Sequence, residues 1–210
     1  MNQIIKNLNQ IGKDYIDDSF KFIKKEGLLY VICGNADSLS DTKNTRKNTN
    51  KIVKALKWLE LFWIYIEINF VYSEIKKNVK SKNKIQFPKI FFSLSIFQGP
   101  EEIMDKHQVF RAEWDNNNDE TDYHPQPHWH FHYCNEFISE FEDDTHNEFD
   151  QEETNILDFN KFHFAMNGQW AVSKKDVHRI TTEDELVNWF SGIIKHIKKE
   201  LEYLKKRHKL

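Results

Sequence analysis

Cysteine, proline and glycine are all scarce in this chain. Two cysteines, Cys33 and Cys134, cannot build a disulfide framework in 210 residues, and a reduced, cytoplasmic chain is expected. Six glycines and four prolines exclude collagen-like, low-complexity and glycine-rich barrel architectures. Long apolar runs are missing too. The greasiest stretch, residues 55–75, is interrupted by Lys57, Glu60, Glu67 and Glu74. A membrane span needs about 20 mostly apolar residues, so no span is expected. Met1 to Lys13 lacks the apolar core of a signal peptide.

What is present is a globular composition. Hydrophobic residues make up 39% and aromatic residues 14%, too much for a disordered chain. A mass of 25.4 kDa corresponds to one or two domains. The net charge of −3 hides a split. Residues 1–100 hold 17 basic and 9 acidic side chains, whereas residues 101–210 hold 13 and 24. Residues 112–160 carry 15 Asp/Glu, no Lys or Arg, and five of the ten histidines. Such asymmetry points to a basic surface in one half and an acidic, metal-friendly region in the other.

The hydrophobic pattern predicts an α+β chain with an N-terminal helical region over 1–87 and an antiparallel sheet domain over 88–210. A helix is expected from Ile4 to Lys25, then the apolar run Leu28–Cys33, then a polar, basic loop over 36–51. A long helix is expected over 51–80, its apolar positions so numerous that it must be covered on most sides. It could cover the sheet or mediate homo-oligomerisation. A basic linker follows at 81–87. Ile90–Phe97 then reads as a β-branched and aromatic strand ending at the Gly99–Pro100 turn.

Val109–Asp115 alternates, with Phe110, Ala112 and Trp114 on one face and Arg111, Glu113 and Asp115 on the other. His128–Tyr133 alternates again, with His128, His130 and His132 sharing a face. Together these segments predict a hairpin with one aromatic face and one face of carboxylates and imidazoles. Residues 136–158 read as an acidic excursion. Asn167–Gly168 marks a tight hairpin between 162–166 and 169–173, and Val177–Ile180 reads as a last short strand. Thr182 to Glu185 forms a capping box that opens a helix with Leu186, Phe190, Ile193, Ile197, Leu201 and Leu204 on one stripe.

Neutral imidazole is a common ligand for divalent metals, and a period of two aims successive rings the same way. Three histidines in register facing Glu113 and Asp115 therefore predict a metal site with open positions, suited to polarising a phosphate oxygen.

The segment Ala112–His132, with its histidine–hydrophobe–histidine motif His128-Trp129-His130, resembles the corresponding stretch of HUH endonucleases. Within that superfamily it is most similar to the rolling-circle replication initiators (Rep) of small plasmids. Ile90–Phe97 resembles the family's first strand, and Lys195–Leu204 its nucleophile segment. The likeness covers about residues 88–206. It implies an RRM-like antiparallel core and a divalent metal, Mg or Mn, held by Glu113, His128 and His130. It also implies nicking of single-stranded or hairpin DNA through a helix-borne tyrosine.

The chain departs from the family at one point. His196 stands where the family has the nucleophilic tyrosine, while Lys199 keeps the following lysine position. Tyr203 lies seven residues on, about 10 Å along the helix. Tyr203 as a shifted nucleophile, His196 as nucleophile or base, and loss of the covalent step all stay open. The last would leave a non-catalytic nucleic-acid- or protein-binding module, in mobile-element regulation or phage defence. A primase-like palm is a further alternative, since Glu113-x-Asp115 followed by His-x-His also resembles the catalytic strands of archaeo-eukaryotic primases.

Overall fold

A computed structural model describes residues 1–46, 49–71, 88–115, 127–132 and 181–208. The elements in chain order are α1 (Asn2–Tyr15), β1 (Lys21–Lys24), β2 (Leu29–Cys33), a 3₁₀ turn (Ala36–Ser38), β3 (Leu39–Arg46), β4 (Thr49–Leu59), β5 (Phe62–Val71), β6 (Lys89–Gln98), β7 (His107–Asp115), β8 (His128–Phe131) and α2 (Glu183–His208). The chain is α+β: these eight strands form one antiparallel open sheet accompanied by two helices.

Strand order along the sheet is β1-β2-β5-β6-β7-β8. The β3–β4 hairpin joins it through β4, which pairs with the start of β5 at Leu56↔Ile64 and Lys57↔Trp63. The other half of β5 pairs with β2, as Val31↔Glu67 and Tyr30↔Ile68. Both helices lie on one face. Phe190 and Trp189 of α2 meet Phe22, Phe92 and Trp114, and Asn7 of α1 donates to Glu183 of α2. Beneath them Ile64, Ile66, Ile68, Leu94, Ile96, Phe110 and Ala112 are buried.

The opposite face mixes polar side chains with the buried rings of Trp63, Tyr65, Phe91 and Phe97, and the β3–β4 hairpin leans over it. Thr42, Asn44, Ser95 and Gln108 are buried there and bonded to one another or to Lys106. Thr45 N–H donates to Gln108 Oε1. Buried polar groups need such partners, and a polar strand laid over a polar sheet face supplies them.

Three expectations are corrected here. The long helix expected over 51–80 is not formed across its described part, residues 51–71. Residues 49–59 and 62–71 are strands turning at Glu60–Leu61, so no helix over these residues covers the sheet or offers a face for self-association. Phe62–Val71 is rich in Ile, Phe, Trp and Tyr, which favour strands. As a central strand covered on both faces, it presents a nearly continuous apolar run whose period of two is masked. Among the described residues of the region 1–87, expected to be helical, α1 is the one α-helix, because Lys21–Lys24 and Leu29–Cys33 are also strands. The loop expected over 36–51 is largely β3 and the start of β4, a polar strand pair that simple hydrophobic alternation does not reveal.

β6, the β7–β8 hairpin and α2 follow expectation. All six stripe residues of α2 are buried. Its capping box is closed, with Glu185 N–H donating to Thr182 Oγ1 at 3.2 Å and Thr182 N–H donating to Glu185 Oε2 at 3.2 Å. The linker at 81–87, the acidic excursion at 136–158, the hairpin at 162–173 and the strand at 177–180 lie outside the described residues. No helix among the described residues is long and apolar enough to cross a membrane.

Candidate metal centre

The β7–β8 ladder sets the site. Glu113 pairs with His128 and Arg111 with His130, while Ala112 and Phe110 pair with Trp129 and Phe131. Directly paired residues share a face, with Cβ atoms about 4.5–5.5 Å apart. Trp129 therefore packs on the core side against Phe110, while Phe131 beside it is exposed. Glu113, His128 and His130 turn to the polar face.

Three ligand atoms converge there. His128 Nε2 and His130 Nε2 stand 2.7 Å apart, and Glu113 Oε2 lies 3.4 and 3.3 Å from them. Ligands each about 2.0–2.2 Å from one ion are separated by about 2.8–3.6 Å across cis or tetrahedral angles. The triad comes close to that spacing, so Glu113, His128 and His130 could hold a metal ion. The Glu113 side chain is 6% exposed and that of His130 36%, so the centre opens to solvent on the His130 side.

The other carboxylate oxygen is already taken. Arg111 Nε donates to Glu113 Oε1 at 2.9 Å, and Arg46 Nε stands 3.2 Å from the same atom. Arg46 Nη1 also reaches Glu67 Oε1 at 3.5 Å, and its guanidinium stacks 3.9 Å above the Phe91 ring. Tyr65 donates its hydroxyl to Glu67 Oε2 at 3.0 Å. Oε2 is thus the Glu113 oxygen left for a metal ion that the group could hold.

The titration of these groups follows from their neighbours. Burial alone would raise the Glu113 carboxyl, but a His128 hydrogen bond and the charges of Arg111 and Arg46 outweigh it and push it down to about 2. Burial, then Arg111, lower the His130 imidazole. His132 is pushed down to about 4 by burial, Arg111, His130 and His107. Burial beside Glu67 raises the Tyr65 phenol. An ionised Glu113 beside an imidazole at His130 pushed towards its neutral form favours the protonation state that metal ligation requires.

The structure brings Glu113, His128 and His130 together, as expected. His132, the third histidine in register, is not part of the triad, and the side chain of Asp115 lies outside the described residues. His196, Lys199 and Tyr203 are not brought to the centre. They lie on α2, which packs through Trp189 and Phe190 on Phe92 and Trp114, whereas Ser93 and Glu113 alternate to the far side. The sheet stands between that helix and the three ligands.

Sequence reasoning missed Arg46, Arg111 and Glu67. One signal was available: arginine occurs four times against 26 lysines, and two of the four converge on Glu113. A planar, always-charged fork is what a shared carboxylate selects for over lysine.

No family model, curated protein or solved structure matches this chain. Its chemistry rests on the residues themselves.

Proposed function

We propose that this chain is a metal-dependent DNA-processing domain that nicks single-stranded or hairpin DNA at the Glu113–His128–His130 centre. The convergence of two Nε2 atoms and one carboxylate oxygen on a single point carries the reading. It is supported by the resemblance of Ala112–His132 to HUH endonucleases, whose motif has the same ligand types. A bound divalent ion would supply a Lewis acid that polarises a phosphate oxygen. Of the two ions the resemblance implies, Mn²⁺ suits two imidazoles better than Mg²⁺, which prefers oxygen ligands. The hairpin over this face carries Lys43, Arg46, Lys51 and Lys54, a basic neighbour for a nucleic-acid backbone, although Lys43 and Lys54 pair with Asp105 and Asp41.

In this reading the nucleophile does not come from α2. With Mn²⁺ and a labelled pool of single-stranded and hairpin oligonucleotides, the wild type is expected to cleave. Glu113→Gln and His130→Ala should lose at least about 100-fold of that rate, as lost ligands do. Tyr203→Phe should retain it. Mn²⁺ binding by calorimetry without any cleavage would sink the nuclease reading. The non-catalytic module would then be left, and its DNA binding would show as a Mn²⁺-dependent gel shift. That second reading draws on the placement of α2 across the sheet from the triad.

A further inference from the structure

Among the described residues, the charges around Glu113 balance before any ion enters. Among the described residues, Glu113 and Glu67 bring two negative charges to this spot, and Arg46 and Arg111 bring two positive ones. Ligating imidazoles are neutral, so a divalent ion would leave the cluster with two uncompensated positive charges. Glu113 is 4% and Arg111 3% exposed, so little solvent is present to screen that excess. An anion entering with the metal would offset it.

The two arginines are not equivalent. Arg111 is locked: its side chain is 4% exposed, it donates to Glu113 Oε1 at 2.9 Å, and it also donates to the Thr45 carbonyl. Arg46 is 31% exposed and makes longer contacts, 3.2 Å to Glu113 and 3.5 Å to Glu67. The Phe91 ring beneath it supports the plane of its guanidinium. With five N–H donors in a fixed fork, Arg46 has donors left for a further acceptor, and tetrahedral oxyanions match that fork.

We propose that Arg46 binds a phosphate oxyanion beside the metal, so that metal and anion strengthen each other's binding. This rests on the metal reading above and adds the class of ligand that completes the centre. The linkage is reciprocal, because one coupling free energy governs both affinities.

Calorimetric titration of the full chain with Mn²⁺, alone and with saturating dimethyl phosphate, tests it. The wild type is expected to bind Mn²⁺ roughly five-fold or more tightly with the phosphodiester present, the lower end of usual coupling. Arg46→Gln should bind Mn²⁺ alone at least as well, since a nearby positive charge is gone, but without the gain from dimethyl phosphate. Arg46→Lys should keep part of the gain. Glu67→Gln, which removes a competing carboxylate and leaves Arg46 in place, should enlarge it.

Circular dichroism establishes that each variant is folded. A gain from inorganic phosphate but not from dimethyl phosphate supports the oxyanion site and identifies free phosphate, not a nucleic-acid backbone, as its ligand. Equal Mn²⁺ affinity in the wild type with and without either anion overturns the inference, as does an undiminished gain in Arg46→Gln. Absence of Mn²⁺ binding by the wild type, with or without anion, overturns the metal reading itself, a separate and recognisable outcome.

Discussion

Glu113 shows how much one residue can depend on partners distant in sequence. One oxygen faces two imidazoles and the other faces two guanidiniums. Glu113→Ala would leave Arg111 buried without its carboxylate. Removing one partner of a buried pair costs about 3–5 kcal/mol, so the urea midpoint should fall accordingly. A loss below about 1 kcal/mol would mean that the Thr45 carbonyl alone satisfies Arg111. The candidate ligands were legible as a set, because strand alternation places Glu113, His128 and His130 on one face together with Asp115 and His132, and the resemblance named the three. Arg46 was not, because its approach to Glu113 depends on how the β3–β4 hairpin folds over the sheet. Gly12 makes a similar point in the core. A Cβ there would overlap the Phe20 ring, so Gly12→Ala should destabilise by about 1–3 kcal/mol despite better helix propensity. Thermal melting of that variant decides between the two effects.

At the scale of elements, α2 is the most locally determined piece of the molecule. Glu185 accepts from Thr181 N–H at 2.7 Å and from Thr182 N–H at 3.2 Å, and Glu185→Ala should cost about 0.5–1 kcal/mol. Slight burial would raise the Glu185 carboxyl, but the Thr181 and Thr182 hydrogen bonds outweigh it and hold it below 4.5. A carboxylate whose folded pKa is depressed stabilises above its unfolded pKa. Its contribution is therefore complete above about pH 4.5 and fades as pH falls through the lower folded value. Denaturant midpoints of wild type and Glu185→Ala should differ at pH 7 and converge in acid. Equal differences at both pH values would remove Glu185 ionisation from the account. β5 is the contrasting case. Its run of apolar residues looks the same as a buried helix when both faces are covered, so its length and richness in β-branched and aromatic residues had to arbitrate, and neighbouring strands decided it.

For the whole molecule, the link between layers is Phe190. It is fully buried and touches Phe22 near one edge of the sheet and Phe92 near its middle. Phe190→Ala should cost about 3–5 kcal/mol. Far-ultraviolet and tryptophan signals should shift together, since α2 and the sheet share one core. Separate transitions would show that the helix layer unfolds independently.

The sequence by itself determined the elements whose signals are local: the α2 cap and stripe, the β6 strand, and the alternation that makes one face of β7 and β8 aromatic and the other a face of carboxylates and imidazoles. It placed Glu113, Asp115, His128, His130 and His132 on that second face, and the register of the β7–β8 pair selected Glu113, His128 and His130 from among them. Only the tertiary structure decided that residues 49–71 are strands, that the β3–β4 hairpin leans over the polar face, and that two arginines share Glu113. It also placed α2 across the sheet from the triad, away from the position a helix-borne nucleophile needs. The physical reason is the same in each case. A period of two or 3.6 states which side chains share a face, but it does not state what will cover that face.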